Sequence, residues 1–402
     1  MKVWIENPFD NLPCEGFRPQ RYFLMAEAFA RAGCGCVCWT ADFNHTTKAA
    51  RSFREPVELA DNLSIKLVHE PPYSSNISLR RVWCHRRYAA EWLEKAEAEA
   101  EAHGAPDIVI ASSPPLSAAG AASVFAHRHG AMFVIDVMDA WPETFERVFP
   151  RFLLSPLRAA ARRNYLSADM ITVVANRYAA LVRGYGYTGE IRRFYHGIPM
   201  GPLSGPASGA LSASGRAIHL AYIGNLGRTY DLETVVEAVA SARERGEEIY
   251  LHIAGKGGAE KRLRALCAKK GVSGRVAFHG YLGESALAAL FAKCDIGVVP
   301  MEERSFVGMP YKMADYAKAG LAIVSSLGGE SAALAAGYGA IEEYESSSSS
   351  SFLAAVGRIS RRLAEAKEGA RRMAVCEFDA VRIYDGYAAA VLAKAESTGR
   401  KG

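Results

Sequence analysis

A lysine and an aspartate three residues apart, in Pro310-Tyr311-Lys312-Met313-Ala314-Asp315-Tyr316, form the stretch of this sequence best equipped for chemistry. The apolar run Ile296-Gly297-Val298-Val299 before them reads as a buried strand. The spacing of Met313, Tyr316 and Ala317 ahead of Gly320 reads as a helix. Gly308, Met309 and Pro310 form the turn between. Lys312 and Asp315 then stand near a helix N-terminus, where free N–H groups and the helix dipole favour an anion. Such a place suits a phosphate, with Lys312 as a mobile positive charge and Asp315 accepting hydrogen bonds from hydroxyls such as those of a ribose. The alternative is an ordinary strand, turn and helix with a surface lysine and aspartate.

Other strand ends carry related residues. Ile218–Ile223 runs into Gly224-Asn225-Leu226-Gly227-Arg228, where close-approaching amides and a planar guanidinium could cradle a diphosphate. Ile249–Ala254 opens into Gly255-Lys256, and Val276–His279 into Gly280-Tyr281-Leu282. In the first half, Gly16 and Arg18 follow the strand Val3-Trp4-Ile5, and Ser112-Ser113-Pro114-Pro115 follows Ile108–Ala111. Asp139, Trp141 and Glu143 follow Met132–Val137, and two carboxylates with an aromatic at a strand end fit carbohydrate work. Acidic first-turn residues of a helix are the alternative there.

The elements that must position these residues alternate strand and helix throughout, which predicts an α/β protein with two doubly wound parallel sheets. With 402 residues, two domains are expected: 1–200, a linker at 201–217 read from Gly201-Pro202-Leu203-Ser204-Gly205-Pro206, and 218–375. The apolar helix within 376–402 is expected to pack back on the first domain. The segment from Asn44 to Pro72 reads as irregular, and the serine run Ser346–Ser351 as a solvated loop.

Half of the residues are hydrophobic and the net charge is +5, spread rather than massed, which argues against a nucleic-acid partner and suits an anionic substrate or surface. Two stretches, Ile77–Tyr88 and Arg151–Arg163, mix basic with apolar residues and suggest contact with an anionic membrane; a solvated helix face is the alternative for the first. No apolar leader opens the sequence and no run is long enough to span a bilayer, so a cytoplasmic location, peripheral at the inner face of the membrane, is expected. The eight cysteines include no C-x-x-C pair, and Cys34, Cys36 and Cys38 read as buried strand thiols rather than metal ligands. No metal and no cofactor are expected.

Taken in order along nearly the whole chain, Gly224–Asp231, Gly280-Tyr281 and Pro310–Tyr316 resemble the GT-B glycosyltransferases of family 4. Ala111-Ser112-Ser113-Pro114-Pro115-Leu116 and Asp136–Glu143 resemble the branch that builds bacterial surface polysaccharides on lipid carriers. The resemblance implies two Rossmann-like domains facing across a cleft and a retaining transfer from a nucleotide sugar. UDP is the expected nucleotide, with GDP as the alternative, and the acceptor is lipid-linked or a polysaccharide. It implies that Arg228 and Lys312 neutralise the leaving diphosphate, that Asp315 binds the ribose, that Tyr281 and Leu282 lie against the base, and that Asp139 occupies the acceptor-side catalytic loop. Gly16, Gly224, Asn225, Gly227, Lys256, Gly308 and Met309 complete the expected binding set. The commoner pattern has two glutamates around this helix; here Asp315 represents the second, and the first position, near Val307, is apolar. The rivals are an epimerase or hydrolase of the same fold and a non-catalytic subunit of a polysaccharide assembly complex. A dehydrogenase fails for lack of the G-x-G-x-x-G fingerprint.

Overall fold

The computed structural model describes residues 1–51, 57–75, 78–147, 149–201, 217–227, 230–303 and 305–399. The chain divides into two compact units, one of Met1–Gly197 with Phe306–Gly308 and Ala380–Gly402, the other of Ile198–Ser305 and Met309–Asp379. The expected linker falls almost wholly outside the described residues.

The first unit is built on β1 (Lys2–Glu6), β2 (Gly35–Ala41), a hairpin of β3 (Phe43–Asn44) and β4 (Ala49–Ala50), β5 (Val57–Ala60), β6 (Leu63–Val68), β7 (Ile108–Ser113), β8 (Met132–Val137), β9 (Met170–Val173) and β10 (Glu190–Arg193). Eight of these form one sheet in the order β10-β9-β8-β7-β1-β2-β6-β5, parallel except for β5 against β6. Every residue of β7 and β8 is buried, as strands covered on both faces must be, and both read as nearly unbroken apolar runs. The helices are α1 (Arg21–Arg31), α2 (Leu79–His103), α3 (Leu116–Arg128), α4 (Ser155–Ser167) and α5 (Asn176–Gly184).

One expectation needs correction here. The stretch Asn44–Pro72 is not simply irregular: Leu63-Ser64-Ile65-Lys66-Leu67-Val68 pairs in register with Cys36–Ala41, with Leu63, Ile65 and Leu67 on alternate positions. The basic-aromatic segment and the glutamates that follow it lie on one unbroken helix, α2, with Ser78 capping its start. Ile77 lies outside the described residues.

The second unit holds β11 (Ile218–Ile223), α6 (Leu232–Glu244), β12 (Ile249–Ala254), α7 (Glu260–Lys269), β13 (Val276–Gly280), α8 (Glu284–Phe291), β14 (Ile296–Val299), α9 (Tyr311–Lys318), β15 (Ala322–Ser325), α10 (Glu330–Gly337), β16 (Ile341–Glu343), α11 (Ser349–Ser360) and α12 (Leu363–Met373). Its sheet, β13-β12-β11-β14-β15-β16, is parallel in every pair. In both sheets the strand order reverses beside the first strand, between β1 and β7 and between β11 and β14, and such switch points are where open α/β sheets bind ligands. The serine run is not all loop. The Ser348 hydroxyl accepts from the Ser351 N–H, and the helix α11 starts at Ser349.

The last helix, α13 (Ala380–Ser397), belongs to the first unit. Tyr384, Tyr387, Ala388 and Val391 are buried in one cluster with Phe29, Val3 and Ile5. Beneath them lies a buried ion pair. Arg21, the first residue of α1, donates from Nε to Asp136 Oδ2 at 2.7 Å and from Nη2 to Asp136 Oδ1 at 2.8 Å. Its Nη1 reaches the carbonyls of Phe194 and Tyr195 at 3.1 and 3.0 Å. Thr172 donates to the same carboxylate at 2.6 Å and lies 3.2 Å from the Tyr387 hydroxyl.

Candidate functional site

In the second unit, three strand ends are knitted together by backbone. The Gly224 N–H donates to Ala254 O at 3.0 Å, Leu226 N–H to Lys256 O at 3.0 Å, and Gly255 N–H to Gly280 O at 2.6 Å. Gly255 has φ +150°, and a Cβ there would collide with the Gly224 carbonyl. No side chain fits where these turns cross. We expect Gly255→Ala to cost about 2–4 kcal/mol from backbone collision and strained dihedrals, whereas Gly258→Ala, whose Cβ would enter open space, changes stability by less than about 0.5 kcal/mol. Denaturant unfolding of the two variants checks this.

α9 is fixed against the same edge by Tyr316. Its hydroxyl receives the Ile223 N–H at 3.0 Å and donates to Val298 O at 3.2 Å, and its ring occupies the space that a Cβ on Gly297 would need. This docking carries Lys312 across the switch point toward the Gly224 turn. The expectation of a mobile Lys312 is corrected: the side chain is 5% exposed, with Nζ 4.0 Å from the Tyr222 ring centroid and 3.8 Å from that of Tyr230. A Cβ on Gly224 would lie 3.5 Å from that Nζ. Among the described residues Nζ has no hydrogen-bond partner. Burial holds its ammonium well below the usual lysine range, and Asp315 opposes the shift. A buried amine against two ring faces and one nearby carboxylate gains most from an incoming anion, which favours its protonated form. The N-terminus of α9 has no side-chain cap.

The structure thus brings Gly224, Lys312 and Asp315 to one edge, with Lys256 exposed on the adjoining turn, where its Cε lies 3.9 Å from the position of a Cβ on Gly280. Asn225 is exposed, Gly227 half-buried beside the Asn225 amide, Leu282 half-buried, and Tyr281 is 59% exposed at the end of β13. Met309 is buried in this unit. Gly308 instead falls with the first unit, its N–H donating to the Tyr178 hydroxyl at 3.3 Å. Arg228 lies outside the described residues. Tyr222 and Tyr230 carry no motif of their own; their meaning comes from the lysine between them.

In the first unit, Asp139 follows β8, part-buried, its Oδ1 accepting from the Ala140 N–H at 2.8 Å and Thr144 Oγ1 at 3.2 Å. Burial pushes its carboxyl up, and those bonds pull it back. Glu143 is buried, its Oε1 accepting from the Tyr185 hydroxyl and standing 3.6 Å from Arg158, its Oε2 without a hydrogen-bond partner among the described residues. Trp141 is 9% exposed, packed on Phe145 and under the Arg81 guanidinium, 5.1 Å from the ring centroid. Gly16 closes a short turn, Pro13–Glu15, with φ +77°. At the switch point itself stands a group that motif reading missed. Glu6 is fully buried at the end of β1, beside Tyr88, its pKa pushed up to about 8 chiefly by burial, next to the buried hydroxyls of Ser112 and Ser113 at the end of β7 that the sequence marks.

Sequence models of two known families match successive parts of the chain. Residues 21–200 match Glycosyltransferase Family 4, and residues 217–362 match Glycosyl transferases group 1. No curated protein matches the sequence. Among solved structures, sucrose-phosphate synthase from Thermosynechococcus elongatus is similar at a TM-score of 0.76 and 14% identity, covering 98% of this chain and 99% of that one. Anabaena HepE in complex with UDP and glucose gives 0.67 and 13%, covering 98% and 100%. WaaG, a glycosyltransferase involved in lipopolysaccharide biosynthesis, gives 0.63 and 15%, covering 97% and 99%.

Proposed function

We propose that this chain, a glycosyltransferase of GT-B type resembling the bacterial polysaccharide transferases of family 4, is a retaining enzyme that moves a hexosyl or N-acetylhexosaminyl group from a UDP-sugar to a lipid-linked or polysaccharide acceptor. The observation that carries the donor half of this reading is Lys312, buried beside the exposed Gly224 turn with no hydrogen-bond partner among the described residues. When the glycosidic bond to the donor breaks, negative charge develops on the diphosphate. The bound diphosphate draws a proton onto Lys312, and an ammonium held in place by the surrounding rings then stabilises the developing charge without having to reorganise. Asp315 accepts from ribose hydroxyls, Arg228 adds a second cation to the diphosphate, and Tyr281 and Leu282 border the base. That HepE was solved with UDP and glucose favours UDP over GDP. The acceptor belongs to the first unit, with Asp139 at the receiving hydroxyl. No metal or cofactor enters this scheme.

Calorimetric titration with UDP and with GDP tests the donor. UDP is expected to bind the more tightly, and the diphosphate is expected to raise the depressed Lys312 pKa, so that binding takes up protons. Above about pH 7.5, where a terminal phosphate is fully ionised, the observed enthalpy then varies with the ionisation enthalpy of the buffer, and affinity falls as pH rises. No binding of either nucleotide would overturn the reading.

Membrane contact is the second part of the proposal. Among the described residues no helix is long and apolar enough to cross a bilayer. Leu79, Trp83 and the adjacent Arg80, Arg86 and Arg87 form one exposed face of α2, and Phe152 and Leu153 are exposed beside Arg151. Co-sedimentation with phosphatidylglycerol vesicles at low salt, lost when salt is raised, is the expected result.

A further inference from the structure

The hairpin β3–β4, the loop after β6 and the first turns of α2 converge on a cluster that the scheme above does not use. Arg81 is half-buried on the inward side of α2. Its guanidinium carbon lies 5.4 Å from the Phe9 ring centroid, 5.7 Å from Tyr73 and 5.1 Å from Trp141, and its Nε donates to His85 Nε2 at 3.2 Å. Lys48 reaches the same ring of Tyr73 from the other element, with Nζ 4.6 Å from the centroid and 3.3 Å from His45 Nδ1. Lys48 is one of two described non-glycine residues with positive φ, at 59°. Its backbone is set by Asn44, which accepts the Lys48 N–H on its carbonyl and the Thr46 and Thr47 N–H groups on its side chain.

Beneath the two cations lies Glu70, 1% exposed, with neither carboxyl oxygen in a hydrogen bond among the described residues; His85 Nε2 stands 3.8 Å away. Burial pushes the Glu70 carboxyl up to about 8, so near neutral pH it is a donor rather than a counter-ion. Burial and then Arg81 lower both His45, to about 3, and His85, so neither imidazole adds charge. Lys48 is itself lowered to about 8, by burial and then by Arg81. Two cations, each with partners of its own, therefore share an aromatic cage around a carboxylic acid whose oxygens have no hydrogen bond among the described residues. An oxyanion would meet a guanidinium, an ammonium and an O–H donor at once. The cluster adjoins the acceptor loop, since Arg81 lies over Trp141 and interacts electrostatically with Asp139.

We infer that Arg81, Lys48 and Glu70 form a subsite for a phosphoryl group carried by the acceptor, with Tyr73 and Trp141 walling the sugar or chain attached to it. This rests on the reading that the first unit holds the acceptor. It identifies the acceptor class as a phosphorylated glycan or lipid-linked phosphate rather than a neutral sugar.

The test titrates the full chain and its Arg81→Gln, Lys48→Gln and Lys312→Met variants with glucose 6-phosphate, glucose, UDP and phosphatidylglycerol vesicles. Glucose 6-phosphate is expected to bind far more tightly than glucose, and Arg81→Gln and Lys48→Gln each to weaken it about tenfold or more while Lys312→Met leaves it unchanged. Equal affinity in the wild type and both subsite variants overturns the subsite, as does a loss seen only in Lys312→Met. Lys48 sits on a half-exposed hairpin, so its variant decides the matter should Arg81→Gln prove unfolded by circular dichroism. If vesicle binding, and not that of glucose 6-phosphate, depends on these two side chains, the phosphoryl group is a lipid headgroup; the reverse identifies a phosphorylated sugar. UDP separates the two readings. Failure of UDP to bind defeats the donor assignment, whereas normal UDP binding with phosphate indifferent to Arg81 and Lys48 defeats only the subsite.

Discussion

Replacing Lys312 by methionine should abolish most sugar transfer while making the protein more resistant to heat. The two effects have one cause. Nζ is buried between Tyr222 and Tyr230 with no hydrogen-bond partner among the described residues, so without a ligand the protein bears the cost of burying the amine, by desolvating its ammonium or by giving up its proton. Methionine keeps the length and most of the packing and removes that cost, and the melting temperature should rise. The same change leaves the departing diphosphate without its fixed cation, and turnover should fall by about a hundredfold or more. If the ammonium acts only in the transition state, kcat and kcat/KM fall together; if it also holds the ground state, KM rises as well. A variant that loses stability and keeps its rate would show that Lys312 is a packing residue. Thermal melts and initial rates on one preparation decide it.

The second large effect is expected at the opposite kind of charge, one fully bonded. Arg21→Met should destabilise the first unit by about 3–5 kcal/mol, because it leaves the Asp136 carboxylate buried without its partner. Changing both residues, Arg21→Met with Asp136→Leu, should recover a good part of the loss. Recovery should be incomplete, since Arg21 also serves the carbonyls of Phe194 and Tyr195, and each buried acceptor left unbonded costs about 1–3 kcal/mol. Urea unfolding of the single and double variants gives the coupling directly. Additive losses would mean that the pair is not energetically linked.

Lys312 and Arg21 also mark how far the sequence can be read. The strand–helix alternation, the strand ends and the placing of Lys312 and Asp315 on a helix after a buried strand follow from periodicity and from glycine and proline positions, which are local signals. Whether Lys312 is mobile or caged depends on Tyr222 and Tyr230, about 80 to 90 residues away in sequence, and no local pattern reports that. Arg81 shows the same limit on one helix. Arg80, Arg86 and Arg87 face outward and Arg81 inward, a difference of helix phase that the mixed basic and aromatic composition conceals. β6 escaped for a milder reason: its alternation is short and lies beside a long polar stretch, so the flanks outweighed it. Glu6 and Glu70 could not be singled out, because what distinguishes them is their burial after folding.

The membership of α13 in the first unit has a consequence for how the chain is made. A ribosome delivers residues in order, and domains ordinarily finish folding as they emerge, the first ahead of the second. Here the first unit's cluster around Val3, Ile5 and Phe29 is closed by Tyr384, Tyr387 and Val391. Until those last residues appear, α1 lacks the helix that covers it, and the entire second unit, from Ile198 onward, is synthesised in the interval. The nascent protein should therefore pass through a stage in which the later unit is complete while the earlier one still exposes apolar surface, a stage during which a chaperone would find it and a protease would cut it.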